Sequence, residues 1–279
     1  MIISKLKSDL INKLSSYERP DLEARLIIKL VTGLSDNCLI INGNKELESD
    51  QVDKIYTLLD KRLSNVPYSY ISGEKEFFSR DFYVNENVLI PRPETELLVE
   101  LALEYLKDKQ NAKVLDLATG SGCIGISIKK EIDVDLTLAD ISTGALECAA
   151  INLKKHNTEA LLVQSDLFSN FKDEKFDIIV TNPPYLTDEW YDEVSAEVKR
   201  EPKSALVGFG DDGLDLIRSI IKESSKYLKE NGLFLLECDF RQTQECAKLL
   251  SKYRFTDVKI HNDLTDRERV VSGICMSNY

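Results

Sequence analysis

The residues with the clearest chemical potential are Asn182-Pro183-Pro184-Tyr185, which close the apolar run 176–181. A carboxamide or arylamine nitrogen is a weak nucleophile because its lone pair is delocalised. A catalyst acting on such a nitrogen needs acceptors that hold its N–H bonds, and no strong base before the nitrogen turns cationic. The side-chain oxygen of Asn182 and the carbonyl of Pro183 are two such acceptors. The paired prolines stiffen the backbone and remove competing N–H groups. The gain is positioning plus electrostatic preorganisation. Tyr185 adds a face on which a planar group stacks and near which positive charge is favoured. Taken alone, the four residues also fit a proline-stiffened strand end with a capping Asn.

A second chemical element precedes them. The run Val114-Leu115-Asp116-Leu117 enters the turn Ala118-Thr119-Gly120-Ser121-Gly122, and Asp140 ends the next apolar run. Glycines there let a ligand approach the backbone and bring helix N–H groups toward it. Gly120-x-Gly122-x-x-Gly125 with Asp140 on the ribose admits a nicotinamide-dependent dehydrogenase or an S-adenosylmethionine enzyme. Two features favour the second. Asp116 stands where a cationic amino-acid tail would lie, and Asp166-Leu167-Phe168 follow the third run, where an adenine edge and face would lie. No His or Lys general acid stands near a strand end, as a dehydrogenase would need. A protein that binds the adenosyl group without catalysis has no use for the Asn182–Tyr185 ledge.

The elements that must position these residues follow from periodicity. Leu6, Leu10 and Leu14 mark one helical stripe. Leu22, Leu26, Ile27 and Leu30 mark another behind Pro20-Asp21, and Val52, Ile55, Leu58, Leu59 and Leu63 a third. They predict a small helical bundle in residues 1–73. Pro67 breaks the pattern. The aromatic stretch 77–84, followed by Asn85-Glu86-Asn87 and Val88-Leu89-Ile90, predicts a hairpin bridging two domains. Pro93-Glu94 opens a helix burying Leu97, Leu98, Leu101 and Leu106. Hairpin and helix make a linker over 74–112. From 113 to 279 apolar runs at 114–118, 134–139, 160–163, 176–180, 233–237, 258–260 and 270–274 alternate with helix-length segments at first. This predicts a mostly parallel, seven-stranded α/β sheet, with the last two runs close enough to pair antiparallel.

Composition narrows the function classes. A net charge of −12, from 36 basic and 48 acidic residues, disfavours a protein whose affinity rests on wrapping nucleic acid. No apolar run is long enough to span a bilayer, and residues 1–7 lack a secretory signal, so a cytoplasmic location is expected. The six cysteines include no Cys-x-x-Cys pair and read as free thiols. With two histidines outside any ligand pattern, no metal is expected.

The chain resembles the class I methyltransferases that share Asn-Pro-Pro-Tyr, and within them the release-factor glutamine methyltransferases of the PrmC/HemK family. The run Leu89-Ile90-Pro91-Arg92-Pro93-Glu94-Thr95-Glu96-Leu97-Leu98-Val99 carries this likeness. So do the stretch 77–82, Glu201-Pro202 with Ala205-Leu206, and the tail 266–273. The resemblance implies a Rossmann-like fold and methylation, by S-adenosylmethionine, of the glutamine amide in the Gly-Gly-Gln motif of peptide chain release factors. It implies that the loop Ala118, Thr119, Gly120, Ser121, Gly122 cradles the methionine part, that Asp140 holds the ribose, and that Asp166 and Leu167 line the adenine. Asn182, Pro183, Pro184 and Tyr185 would bind and orient the amide, with Asn182 also facing the cofactor, and the helical domain would grip the release factor. A monomer without membrane attachment is expected. Ala118 stands where the family has glycine, Leu167 where it often has tryptophan, and Cys238-Asp239 follow Glu237 in place of its small or His-Gly element. The runner-up substrates are an exocyclic amine of nucleic acid and a ribosomal-protein glutamine.

Overall fold

The leucine stripe at the start of the chain behaves as its spacing demands. The structure, a computed structural model describing residues 1–276, forms two units, Met1–Ser72 and a larger one from Gly73. In the first, Leu6 and Leu10 of α1 (Ile3–Lys13) and Leu14 just beyond it are fully buried. α2 (Pro20–Thr32) opens on proline, whose missing N–H costs nothing in a first turn. It ends at Gly33 in the left-handed conformation. Its buried residues are Ala24, Ile27 and Ile28, whereas Leu30 is 39% exposed. The stripe is therefore rotated from the expected one, because the packing face includes a small residue. α3 (Asp36–Ile41) is capped by the Ser35 hydroxyl, which accepts the Cys38 N–H. α4 (Ser49–Leu63) buries Ile55 and Leu59. Leu63 is 41% exposed, and Arg62 takes the buried position beside it. α5 (Tyr68–Ser72) closes the unit.

The second unit begins with a hairpin of β1 (Glu74–Phe77) and β2 (Arg80–Tyr83), joined at Phe78-Ser79. Both turn residues have positive φ, 49° and 57°, without glycine or asparagine. The Phe78 N–H donates to Glu96 at 2.8 Å, and Asn152 accepts the Tyr83 N–H at 2.7 Å while returning a bond to the Tyr83 carbonyl. Glu96 thus anchors a turn that local chemistry disfavours, and Asn152 anchors the far end of β2. The expected return strand at 88–90 does not form, since β2 already pairs with β1 and those residues run on toward the site. Pro93–Thr95 forms a 3-10 turn leading into α6 (Glu96–Leu106).

The remaining elements are β3 (Lys113–Leu117), α7 (Cys123–Glu131), β4 (Asp135–Asp140), α8 (Thr143–Lys155), β5 (Leu161–Gln164), β6 (Phe176–Thr181), α9 (Asp188–Glu193), α10 (Asp215–Ser224), β7 (Leu228–Glu237), α11 (Thr243–Lys252), β8 (Phe255–Asn262) and β9 (Glu268–Cys275). They build one seven-stranded sheet in the order β5-β4-β3-β6-β7-β9-β8. The first five in that order run parallel, and β9 pairs antiparallel with both β7 and β8. Val114, Ile178 and Leu235 pack with α6, α7 and the hairpin on one face; Leu115, Ile179 and Phe234 pack with α10 and α11 on the other. Both faces of the central strands are covered, so β3, β6 and the end of β7 read as near-continuous apolar runs. β7 carries a register shift between its pairings with Phe176 and Ile178, where Asn231 adopts φ 59°. Among the described residues no helix is long and apolar enough to cross a membrane.

Candidate active site

Strand order reverses at β3, with β4 on one side and β6 on the other. Open α/β sheets bind ligands at the carboxyl ends of the strands at such a switch point. Register then dictates the neighbours. Leu117 pairs with Ala139 and with Thr181, so the loop starting at Ala118 lies between Asp140 and Asn182. Asp140 pairs with Gln164, two residues before Asp166, and Thr181 pairs with Leu236, which sets Asn182 beside Glu237.

The loop 118–122 bends sharply, with Ala118, Gly120 and Gly122 all at positive φ. Ala118 at 58° bears the strain that a glycine would relieve. Around Gly120 a Cβ would meet nothing within 4 Å, so this backbone faces open space. Gly125 serves packing instead, since a Cβ there would stand 2.5 Å from Leu138. Thr119 and Ser121 are buried. The loop is pinned by two carboxyls. Asp140 accepts the Gly120 and Ser142 N–H groups, both at 2.9 Å. Burial raises its pKa against those two bonds. Asp116 accepts the Thr119 hydroxyl at 2.7 Å and the Gly125 N–H at 2.9 Å through one oxygen, while its Oδ1 is buried without a partner. Burial pushes this carboxyl up to about 7. Asp166 is exposed, and Leu167, at φ 48°, is half-buried against the core. The Ser165 N–H donates to the Asp140 carbonyl at 2.9 Å, which keeps this turn beside Asp140.

The Asn-Pro-Pro-Tyr segment is held along its length. Tyr185 and Leu186 N–H groups donate to the Leu206 carbonyl at 3.1 and 2.8 Å, and Gln242 donates to the Tyr185 carbonyl at 2.8 Å. Asn182 donates through Nδ2 to the Thr95 hydroxyl at 3.2 Å. Burial raises the Tyr185 phenol, with the negative charge of Glu237 adding to it. A pocket of about 160 Å³ opens here, lined by Asn182, Pro183 and Tyr185 with Leu89, Arg92 and Leu206 among its walls. Its far wall is locked by Glu201, a buried carboxylate that accepts the Ile90 N–H at 2.9 Å and the Arg92 guanidinium at 2.6 Å. The runs 89–99 and 201–206, far apart in sequence, thus meet through one charge-assisted clamp.

Asn182, Pro183 and Tyr185 line this pocket, and Pro184 supports them from the same segment. Ala118 to Gly122, Asp140, Asp166 and Leu167 follow the strand ends on the other side of Asn182. Sequence reasoning gave no chemical role to Thr95 or Glu237, although both stand in stretches compared with the family, because their partners come from other elements. All six cysteines are free thiols. Among the described residues no group of three His, Cys, Asp or Glu could hold a metal ion.

Comparison with known proteins fits this geometry. Residues 8–73 match the PrmC N-terminal domain and residues 94–211 the Methyltransferase small domain. The chain is 36% identical over 266 residues to the release factor glutamine methyltransferase of Borreliella burgdorferi, covering 95% of this chain and 92% of that protein. It is 34% identical to the bifunctional methyltransferase of Rickettsia typhi, but spans only 55% of that protein's length. A solved methyltransferase from Pyrococcus furiosus shares the fold, with a TM-score of 0.55 at 15% identity over 78% of this chain and all of that one. Near-complete coverage in both directions, together with the matching N-terminal domain, places the chain in the release factor glutamine methyltransferase family.

Proposed function

We propose that this protein transfers the methyl group of S-adenosylmethionine to the side-chain amide nitrogen of the glutamine in the Gly-Gly-Gln motif of peptide chain release factors. The observation that carries this reading is the rigid Asn182-Pro183 ledge, in a pocket beside the open glycine loop. The residues fit the cofactor on two counts. The backbone at Gly120 faces open space, and Asp116 holds an unpartnered buried oxygen suited to a cationic amino-acid tail. When bound, S-adenosylmethionine supplies an electrophilic methyl group on a sulfonium.

The chain's own residues do the rest. The loop from Ala118 to Gly122 cradles the methionine part, Asp140 accepts from ribose hydroxyls, and Asp166 and Leu167 border the adenine. The Asn182 oxygen and the Pro183 carbonyl each accept one N–H of the substrate amide. The lone pair is thereby turned toward the methyl group, and the barrier falls through positioning and fixed dipoles. Tyr185 stacks on the planar carboxamide and favours the cationic nitrogen as it forms. The helical unit, Met1–Ser72, recognises the release factor. The protein acts as a monomer in the cytoplasm, where translation termination takes place, and its net charge of −12 disfavours strong nucleic-acid binding.

The test is transfer of labelled methyl to a purified release factor, with a Gln-to-Ala variant of its tripeptide as control. Label on the wild-type substrate that vanishes with the variant is the expected result. A release factor left unlabelled by cofactor-bound enzyme would overturn the proposal and direct the search to ribosomal proteins and RNA.

A further inference from the structure

We propose that Thr95 and Glu237 form a positioning pair that fixes the amide orientation of Asn182, so that its oxygen, not its nitrogen, meets the substrate N–H. The inference deepens the reading above and rests on it for the role of Asn182. An asparagine amide is nearly symmetric in shape, so a flip about its last bond exchanges an acceptor for two donors. A flipped Asn182 would present N–H to N–H and repel the substrate. Something must therefore choose the orientation.

Three elements meet at this point. Asn182 follows β6, Thr95 ends the 3-10 turn before α6, and Glu237 is the last residue of β7. Thr95 and Glu237 are 3% and 2% exposed. Asn182 Nδ2 donates to the Thr95 hydroxyl at 3.2 Å. The register of β6 and β7 sets the buried Glu237 carboxylate beside Asn182, and Thr95 and Asn182 both favour its ionised form. Polarity then propagates in one direction. An ionised carboxylate only accepts, so the Thr95 hydroxyl gives its proton to Glu237 and keeps its lone pairs for Asn182. Nδ2 is consumed inward and Oδ1 is left for the pocket. Glu237 Oε2 is buried with no hydrogen-bond partner, which leaves an acceptor open for that proton.

The charge of Glu237 makes the device titratable. Burial pushes its carboxyl up to about 7, against Thr95, Arg269 on β9 and Asn182, while Glu94 adds to the rise. The Tyr185 phenol and the Cys123 and Cys238 thiols also feel its charge. Below neutrality Glu237 becomes a donor, the Thr95 hydroxyl can reverse, and the hold on Asn182 loosens.

The test reads the Asn182 side-chain NH2 resonance in the full-length protein, assigned by its loss in Asn182→Asp. In the wild type the resonance should titrate with a midpoint near 7, and in Glu237→Gln it should be insensitive to pH over the same range. Methyl transfer gives the second readout. Thr95→Val should lower kcat about tenfold, the scale of one positioned hydrogen bond, with KM for S-adenosylmethionine within about twofold. Thr95→Ser, which restores the hydroxyl, should recover most of that loss. A wild-type resonance flat across neutrality would overturn the pair, as would full activity in Thr95→Val or no rescue by serine. Should the wild type fail to label any release factor, the substrate reading fails, while the resonance still decides the positioning pair.

Discussion

Buried charge is handled differently in the helical unit and at the strand ends of the larger one. In the helical unit Arg62 is buried, and its guanidinium is closed off by Glu23 at 2.7 and 2.9 Å and by the Val66 carbonyl at 3.2 Å. Tyr17 donates to the Arg62 backbone and lies 4.4 Å under its guanidinium. In the larger unit Asp116 and Glu237 are equally buried, yet each holds one oxygen without a partner. Three of the five such side-chain atoms among the described residues, on Asp116, Thr181 and Glu237, stand in the last two residues of β3, β6 and β7. None of the five is in the helical unit. A charge network closed on itself specifies structure, whereas a costly open acceptor at a strand end persists where binding or chemistry uses it.

The sharpest way to break this contrast is at the ledge. Asn182→Ala should lower kcat by roughly a thousandfold, the upper range for removing a preorganised transition-state group, while calorimetry finds cofactor affinity within a few fold. Unchanged turnover would remove Asn182 from the chemistry. In the helical unit the expected loss is of stability. Arg62→Ala strands Glu23 and should cost about 3 kcal/mol, read by urea unfolding, with activity per folded molecule retained.

Acidity separates the units further. Asp116 and Glu237 have folded pKa values raised to about 7, so the folded state binds more protons than the unfolded one from the ordinary carboxylate range up to neutrality. Their contribution therefore favours folding at low pH and is lost as pH climbs through about 7, by at most about 1.4 kcal/mol for each tenfold difference in proton affinity between the two states. Unfolding free energies from pH 5 to 8 should fall in the wild type and fall less in Glu237→Gln. An equal slope in both would mean that Glu237 titrates normally. The smallest effect is expected at Asp140→Ala, which should weaken cofactor binding about tenfold through a lost charge-assisted hydrogen bond. Unchanged binding would undo the ribose assignment.

Much of this was legible in the chain. The alternation of apolar runs with helical segments predicts the mostly parallel sheet from 113 onward, because its central runs bury both faces. The bends at 118–122 and 182–185 were legible because their special chemistry is local, a glycine turn and a double proline. Other features were not. The Phe78-Ser79 turn lacks any glycine signal and is held by Glu96, with Asn152 anchoring the far end of the hairpin. Leu30 and Leu63 look like core in a periodic stripe, but Ala24 and Arg62 take the buried places.

The sequence by itself determined the main helical stripes and sheet runs, where the glycine loop and the Asn-Pro-Pro-Tyr segment fall on them, and the family the chain resembles. Periodicity and turn chemistry act over a few residues, so a linear reading captures them. Tertiary structure alone decided the Glu201 clamp on Ile90 and Arg92, the contact of Asn182 with Thr95, and the open oxygens of Asp116 and Glu237. Whether a buried polar atom finds a partner depends on segments that meet only when the sheet closes, and no spacing along the chain encodes that meeting.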